Sequence, residues 1–211
     1  MVPRRTDRAF LCGQTGSGKT TLARVLLDTR TYVAVLDVKL NLAWPGYRVI
    51  KKMSDLDKVD PVEDPKIIFR PSLDDMDNIS RLDRFFAWVY DRGNTTCYVD
   101  EVFGVTKGQQ LPRMYGACLT RGREFSVEMW SASQRPKDIP SVVMSEAEHV
   151  YAFRLRMPQD RVRIEDLTAI PQQRIAALSK REFLYAPQDG DIEGPLFLDF
   201  VRQSNNNNRT D

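Results

Sequence analysis

Eight consecutive residues, Gly13-Gln14-Thr15-Gly16-Ser17-Gly18-Lys19-Thr20, hold the densest chemistry in the chain. Their spacing, G-x-x-x-x-G-K-[ST], is that of a P-loop. The glycines let the backbone turn so that its N–H groups converge on an anion. Lysine supplies a fixed charge for β- and γ-phosphates, and the hydroxyl after it takes a place on Mg²⁺. Those two roles fall to Lys19 and Thr20, and Thr21 carries the chain into the next element. The stretch Gly13 to Thr21 therefore predicts a nucleoside triphosphate site.

Three further groups have types suited to work beside such a loop. Asp100-Glu101 ends the apolar run Thr95-Thr96-Cys97-Tyr98-Val99. A strand that delivers an aspartate beside a P-loop has the Walker B arrangement, in which the carboxylate holds Mg²⁺. The following glutamate can polarise water for attack on the γ-phosphate, as a general base. Gln134 leaves the run Ser126 to Ser133. It could hydrogen-bond the γ-phosphate or the attacking water, and it reads equally well as a polar residue leaving a strand. Arg121-Gly122-Arg123 lies between these two runs. Either guanidinium suits a finger in a neighbouring subunit's site, or a cation at a helix end.

The elements that must position these groups alternate between strand and helix. Ala9 to Cys12 reads as a short buried strand before the loop, and Thr21 to Leu27 as a helix after it. Further strands are predicted over Thr31–Asp37, Tyr47–Ile50, Lys66–Arg70, Thr95–Val99, Ser126–Ser133 and His149–Phe153. Met76, Ile79, Leu82, Phe85, Phe86, Val89 and Tyr90 keep a helical rhythm that Ser72 or Asp74 can cap. Leu111, Met114, Tyr115, Cys118 and Leu119 form a second apolar stripe. Short helices are expected at 53–60, 159–169 and 172–178. Glu182–Ala186 and Leu196–Phe200 suggest a late hairpin. The alternation predicts an α/β fold with a mostly parallel sheet, whose ligands sit at the carboxyl ends of the strands. One domain over 1–203 and a disordered Asn-rich tail over 204–211 are expected.

Composition narrows the class. The 211 residues are 42% hydrophobic and 28% charged, ordinary for a globular domain. No apolar run approaches the length of a membrane span, and no signal peptide is legible, so a cytoplasmic location is expected. Cys12, Cys97 and Cys118 are far apart and His149 is the one histidine, which argues against a Cys/His zinc site. Net charge is +2, too small to announce a nucleic-acid binder. The distribution is uneven, with acids gathered over Asp55 to Asp77 and bases over Lys107 to Lys137. Lys107-Gly108-Gln109-Gln110 and the arginines 154, 156, 161 and 163 are candidates for following a phosphate backbone.

Taken in order, Thr15–Thr20, Val35-Leu36-Asp37-Val38-Lys39, Tyr98-Val99-Asp100-Glu101, Thr120-Arg121-Gly122-Arg123-Glu124-Phe125 and Trp130-Ser131-Ala132-Ser133-Gln134-Arg135-Pro136 resemble the HerA/FtsK superfamily of DNA-pumping ATPases. The small size resembles the genome-packaging ATPases of membrane-containing double-jelly-roll viruses. The resemblance implies an ASCE/RecA-like P-loop fold and a hexameric or pentameric ring that moves double-stranded DNA with ATP and Mg²⁺. It also implies capsid or portal-vertex partners. Matched motif by motif, it makes Lys19, Glu101 and Gln134 catalytic, Thr20 and Asp100 metal ligands, and Arg123 a trans-acting finger. After Asp37-Val38-Lys39 many members continue Gly-Glu, whereas this chain has Leu40-Asn41, which leaves Asp37 and Lys39 without an assigned role. A DNA-export ATPase of filamentous-phage or conjugation type and a small-molecule P-loop kinase are the alternatives.

Overall fold

A computed structural model of the chain describes residues 2–198. Its strands are β1 (Ala9–Cys12), β2 (Val33–Leu36), β3 (Arg48–Ile50), β4 (Lys66–Phe69), β5 (Thr96–Val99), β6 (Glu128–Ser133), β7 (His149–Phe153), β8 (Glu182–Pro187) and β9 (Glu193–Phe197). The helices are α1 (Lys19–Leu27), α2 (Leu73–Asp77), α3 (Ile79–Arg92), α4 (Arg113–Arg121), α5 (Ser141–Ser145), α6 (Pro158–Thr168) and α7 (Gln172–Ala177).

All nine strands form one sheet in the order β3-β4-β2-β5-β6-β1-β7-β8-β9. From β3 to β7 every pairing is parallel, and β8 and β9 close the edge as an antiparallel hairpin. Strand β6 lies between β1 and β5, so the P-loop strand and the Asp-Glu strand are not neighbours. Central strands read as unbroken apolar runs because both faces are covered. Phe10 and Cys12 of β1 point into one core with α3 and α4, while Ala9 and Leu11 point into a second with α1. Parallel pairing brings the carboxyl ends of β1, β2, β5, β6 and β7 to one edge. Gly13, Asp37, Asp100, Gln134 and Arg154 follow those ends.

Three elements differ from the sequence reading. The long helix expected around Met76 to Tyr90 is two helices, because Asn78 is extended (φ −117°, ψ 100°) and its side chain caps α3 through Ser80 N–H at 3.0 Å. Ser72 caps α2 in a reciprocal box with Asp75. Helix α5 has no counterpart in the sequence pattern; its five residues are too few for a periodic signal. Strand β9 begins at Glu193, because its pairing with β8 recruits the polar Glu193-Gly194-Pro195 on an open edge. Asp199 and Phe200 of the expected strand, and the Asn-rich tail 204–211, lie outside the described residues.

Candidate nucleotide-binding site

The loop after β1 is drawn against β7. Gln14 N–H donates to Arg154 O at 3.0 Å, and Gly13 N–H donates to Ser133 O at 3.3 Å. A Cβ on Gly13 would lie 2.5 Å from Phe153 Cβ, so only glycine permits this approach. Gly18 (φ +114°) sits at the start of α1 in left-handed backbone, where a Cβ would also meet Leu198 at 2.9 Å. The loop thus presents its N–H groups at the N-terminus of α1. Inside it, the Ser17 hydroxyl is buried and has no hydrogen-bond partner among the described residues.

Lys19 is only 5% exposed. Its Nζ donates to Gly13 O at 2.5 Å and to Gln14 O at 3.2 Å. Burial, reinforced by the nearby charge of Lys39, lowers its pKa to about 8, against the pull of Glu101 and Asp100. A polyphosphate would reverse that shift by stabilising the cation.

Across the cleft, Asp100 follows β5. Thr20 Oγ1 donates to Asp100 Oδ1 at 2.8 Å, and Tyr98 OH donates to the same oxygen at 3.0 Å. Asp100 Oδ2 is buried and is ion-paired with Lys39 Nζ at 3.0 Å. A hydroxyl and a carboxylate in contact form a hard-oxygen donor set that fits Mg²⁺.

Glu101 and Gln134 meet beside this pair. Glu101 Oε1 accepts the Gln134 N–H at 3.3 Å, and Glu101 Oε2 is buried without a hydrogen bond. Thr15 Oγ1 donates to Gln134 Oε1 at 2.6 Å. Gln134 therefore ties the glutamate of one strand end to the P-loop of another.

These groups border a cleft of about 600 Å³ lined by Thr15 to Thr21, Lys39, Asn41, Leu42, Asp100, Gln134, Lys180 and Arg181. Lys39, left without a role by the sequence, also stands 3.8 Å from Glu101 Oε2 and so links both acids. Asp37 does something else. Fully buried, it accepts from Asn41 N–H (3.1 Å), Leu42 N–H (3.0 Å) and Arg70 Nε (2.8 Å), which fastens the loop that carries Lys39 and Asn41. Lys180 and Arg181 were missed. They lie about 160 residues beyond the P-loop in an undistinguished turn, and only the pairing of β7 with β8 brings them back.

The structure does not bring Arg123 to the cleft. It precedes β6, at the amino edge of the sheet, is 53% exposed, and pairs with Glu148. Glu148 also accepts from Arg8 Nη2 at 2.8 Å, and Arg8 Nη1 pairs with Glu146 at 2.7 Å. Arg121 ends α4 on the same side. Lys107 lies in an exposed turn bridged to Gln110, and its Nζ donates to Asp77 O at 2.6 Å. Arg161 is committed to the carbonyls of Leu155 (3.0 Å) and Arg156 (2.7 Å).

Known structures share this fold. The genome packaging NTPase B204 from Sulfolobus turreted icosahedral virus 2, in complex with sulfate, aligns with a TM-score of 0.73 at 17% identity, over 92% of this chain and 99% of that one. The chain has a P-loop NTPase fold. VirB4 of Thermoanaerobacter pseudethanolicus aligns at 0.61 and 12% identity over 90% of both chains. The plasmid coupling protein TrwB, in complex with a non-hydrolysable GTP analogue, aligns at 0.60 and 10% over 89% of this chain and 84% of its own. B204 has also been solved with AMPPCP, AMP and ATP-gammaS. At the level of the fold, these neighbours bear out the resemblance read from the motifs. No protein-family model matches the chain, and no curated protein matches it. Among the described residues no helix is long and apolar enough to cross a membrane.

Proposed function

We propose that the chain is an ATP-hydrolysing translocase of double-stranded DNA. It works as a homo-oligomeric ring, with one catalytic domain over 1–203, and it packages a viral genome in the cytoplasm of a host cell. The observation that carries this reading is the convergence of Lys19, Thr20, Asp100 and Gln134 on one cleft from three separate strand ends, with Glu101 held behind them by the Gln134 N–H. A binding-only switch has no use for a glutamate beside Thr20 and Asp100 whose Oε2 accepts no hydrogen bond among the described residues.

In this mechanism the loop Gly13–Thr20 holds the phosphates with its N–H groups, and Lys19 leaves the carbonyls of Gly13 and Gln14 for the β- and γ-phosphates. Thr20 and Asp100 would hold Mg²⁺, which would supply positive charge to the phosphate oxygens. Glu101 takes the proton of the attacking water through Oε2, which accepts no hydrogen bond among the described residues. Gln134, bonded to Thr15 and to Glu101, registers loss of the γ-phosphate and passes it to β6. Arg123 cannot serve its own cleft. The six residues of β6, at about 3.3 Å each, place it roughly 20 Å from that edge. An adjacent subunit in a ring can present its own Arg123, released from Glu148, to this edge.

The likeness to B204 supports the packaging role; the likenesses to VirB4 and TrwB support DNA transport more broadly. ATP hydrolysis measured with and without duplex DNA tests the proposal. Hydrolysis that rises several-fold with duplex supports it. Phosphate transfer to a small acceptor, indifferent to DNA, would replace it with the kinase reading.

A further inference from the structure

The nucleotide cleft has a second basic wall. The turn between α7 and β8 places Lys180 and Arg181 on its lining. The backbone reason is specific. Strand β8 runs antiparallel to β7, so its amino end lies at the carboxyl edge where the P-loop sits. Phe183 pairs with Phe153, the residue against which Gly13 and Gly18 are packed. Arg181 is therefore only two residues from the floor of the P-loop.

The turn is closed from both sides. Glu182 N–H donates to Ser179 O at 3.3 Å, and Ser179 N–H donates to Glu182 Oε2 at 2.6 Å. Arg181 has φ +68°, left-handed backbone that an arginine occupies only when its surroundings hold it there. Both side chains are exposed, and among the described residues neither has a charged or hydrogen-bonding partner. The other cations of the cleft are engaged, Lys19 with loop carbonyls and Lys39 with Asp100 and Glu101. In the sheet, β2, which leads to Lys39, and β8 lie on opposite sides of β1, so the two walls bracket the loop. Among the described residues, four cations thus line the cleft against one lining carboxylate, Asp100, a balance that fits a polyanion.

We propose that Lys180 and Arg181 form a clamp within the same subunit that grips the polyphosphate of the bound nucleotide from the hairpin side. The inference rests on the nucleotide site proposed above and adds to it a ligand contact that no motif contains. The clamp recognises phosphate rather than nucleoside, because its two free groups are charges and not an apolar slot for a base.

Competition against a fluorescent ATP analogue, with ATP and with inorganic tripolyphosphate as competitors in Mg²⁺, tests it. The variants are the double substitution Lys180→Ala/Arg181→Ala, and Arg181→Gly, which keeps the left-handed turn without the charge. The double variant should lose about tenfold or more for both competitors by the same factor, since hydrogen bonds to charged groups exceed the value of one decade. The salt dependence of binding should flatten. Arg181→Gly should lose a smaller share, again equally for both competitors. Affinities unchanged in both variants would overturn the clamp, and so would a loss confined to ATP, which would place the contact on the nucleoside. Failure of the unmodified protein to bind ATP, with Lys19→Ala no different, would instead overturn the nucleotide site and the clamp with it.

Discussion

At the residue scale, the site depends on carboxylates that are kept short of partners. Asp100 spends one oxygen on Thr20 and Tyr98 and leaves the other to Lys39; among the described residues Glu101 spends one on the Gln134 N–H and gives the other no hydrogen bond, only Lys39 Nζ at 3.8 Å. A buried oxygen without a hydrogen bond, as Glu101 Oε2 is, costs roughly 1–3 kcal/mol. Its persistence beside the cleft is the mark of a group held ready for a water. Glu101→Gln keeps the shape and the acceptor for Gln134 while removing the base. Turnover should fall at least about 100-fold with the dissociation constant for ATP within a few-fold of the parent. Single-turnover hydrolysis together with equilibrium nucleotide binding checks this, and near-parental turnover would remove Glu101 from the base role. These residues were legible because the P-loop spacing and an acid pair ending an apolar run are local signals. Lys39 was visible but had no role to read, since its meaning lies in Asp100 and Glu101 some 60 positions later. Lys180 and Arg181 carried no local signal.

At the element scale, the parallel strands gather the strand-end groups, and the amino edge carries its own charge cluster. Burial alone would raise the Glu148 pKa, but its hydrogen bonds from Arg8 and the charges of Arg8 and Arg123 outweigh this and hold it below the ordinary 4.5. A carboxylate that is a stronger acid folded than unfolded adds stability that is fully present above the unfolded pKa. That stability is lost as pH falls through the folded pKa. Glu148→Gln should therefore cost about 1–3 kcal/mol at pH 7. Its melting temperature should converge with that of the parent as the pH drops below 4.5. Thermal melts from pH 7 to pH 3 read this directly, and a gap that stays constant with pH would contradict it. Apolar runs made the central strands legible in the sequence, because burial on both faces leaves no other pattern. The break at Asn78 was not, because Ile79 and Leu82 continue the helical rhythm across a residue whose cap only the backbone reveals.

At the scale of the whole molecule, the separation between Arg123 and the cleft becomes a statement about assembly. If Arg123 completes a neighbour's site, Arg123→Ala should bind ATP normally and fail to hydrolyse it. Mixing Arg123→Ala with Glu101→Gln subunits should restore part of the activity, because some interfaces then join an intact Arg123 to an intact Glu101. No recovery in rings shown to be mixed would count against a trans role, and recovery with Arg121→Ala subunits alone would move the finger two residues back. Nothing in one chain's sequence fixes such a pairing, since the contact is made between copies. The central claim is that hydrolysis at this cleft drives the chain along duplex DNA. Displacement of a third strand from a duplex by the assembled protein tests it most directly. With ATP and Mg²⁺ the parent should strip the third strand in a time that lengthens with the duplex to be travelled, and Glu101→Gln should bind the same DNA without stripping it. Stripping that proceeds without ATP, or equally well with Glu101→Gln, would contradict the account.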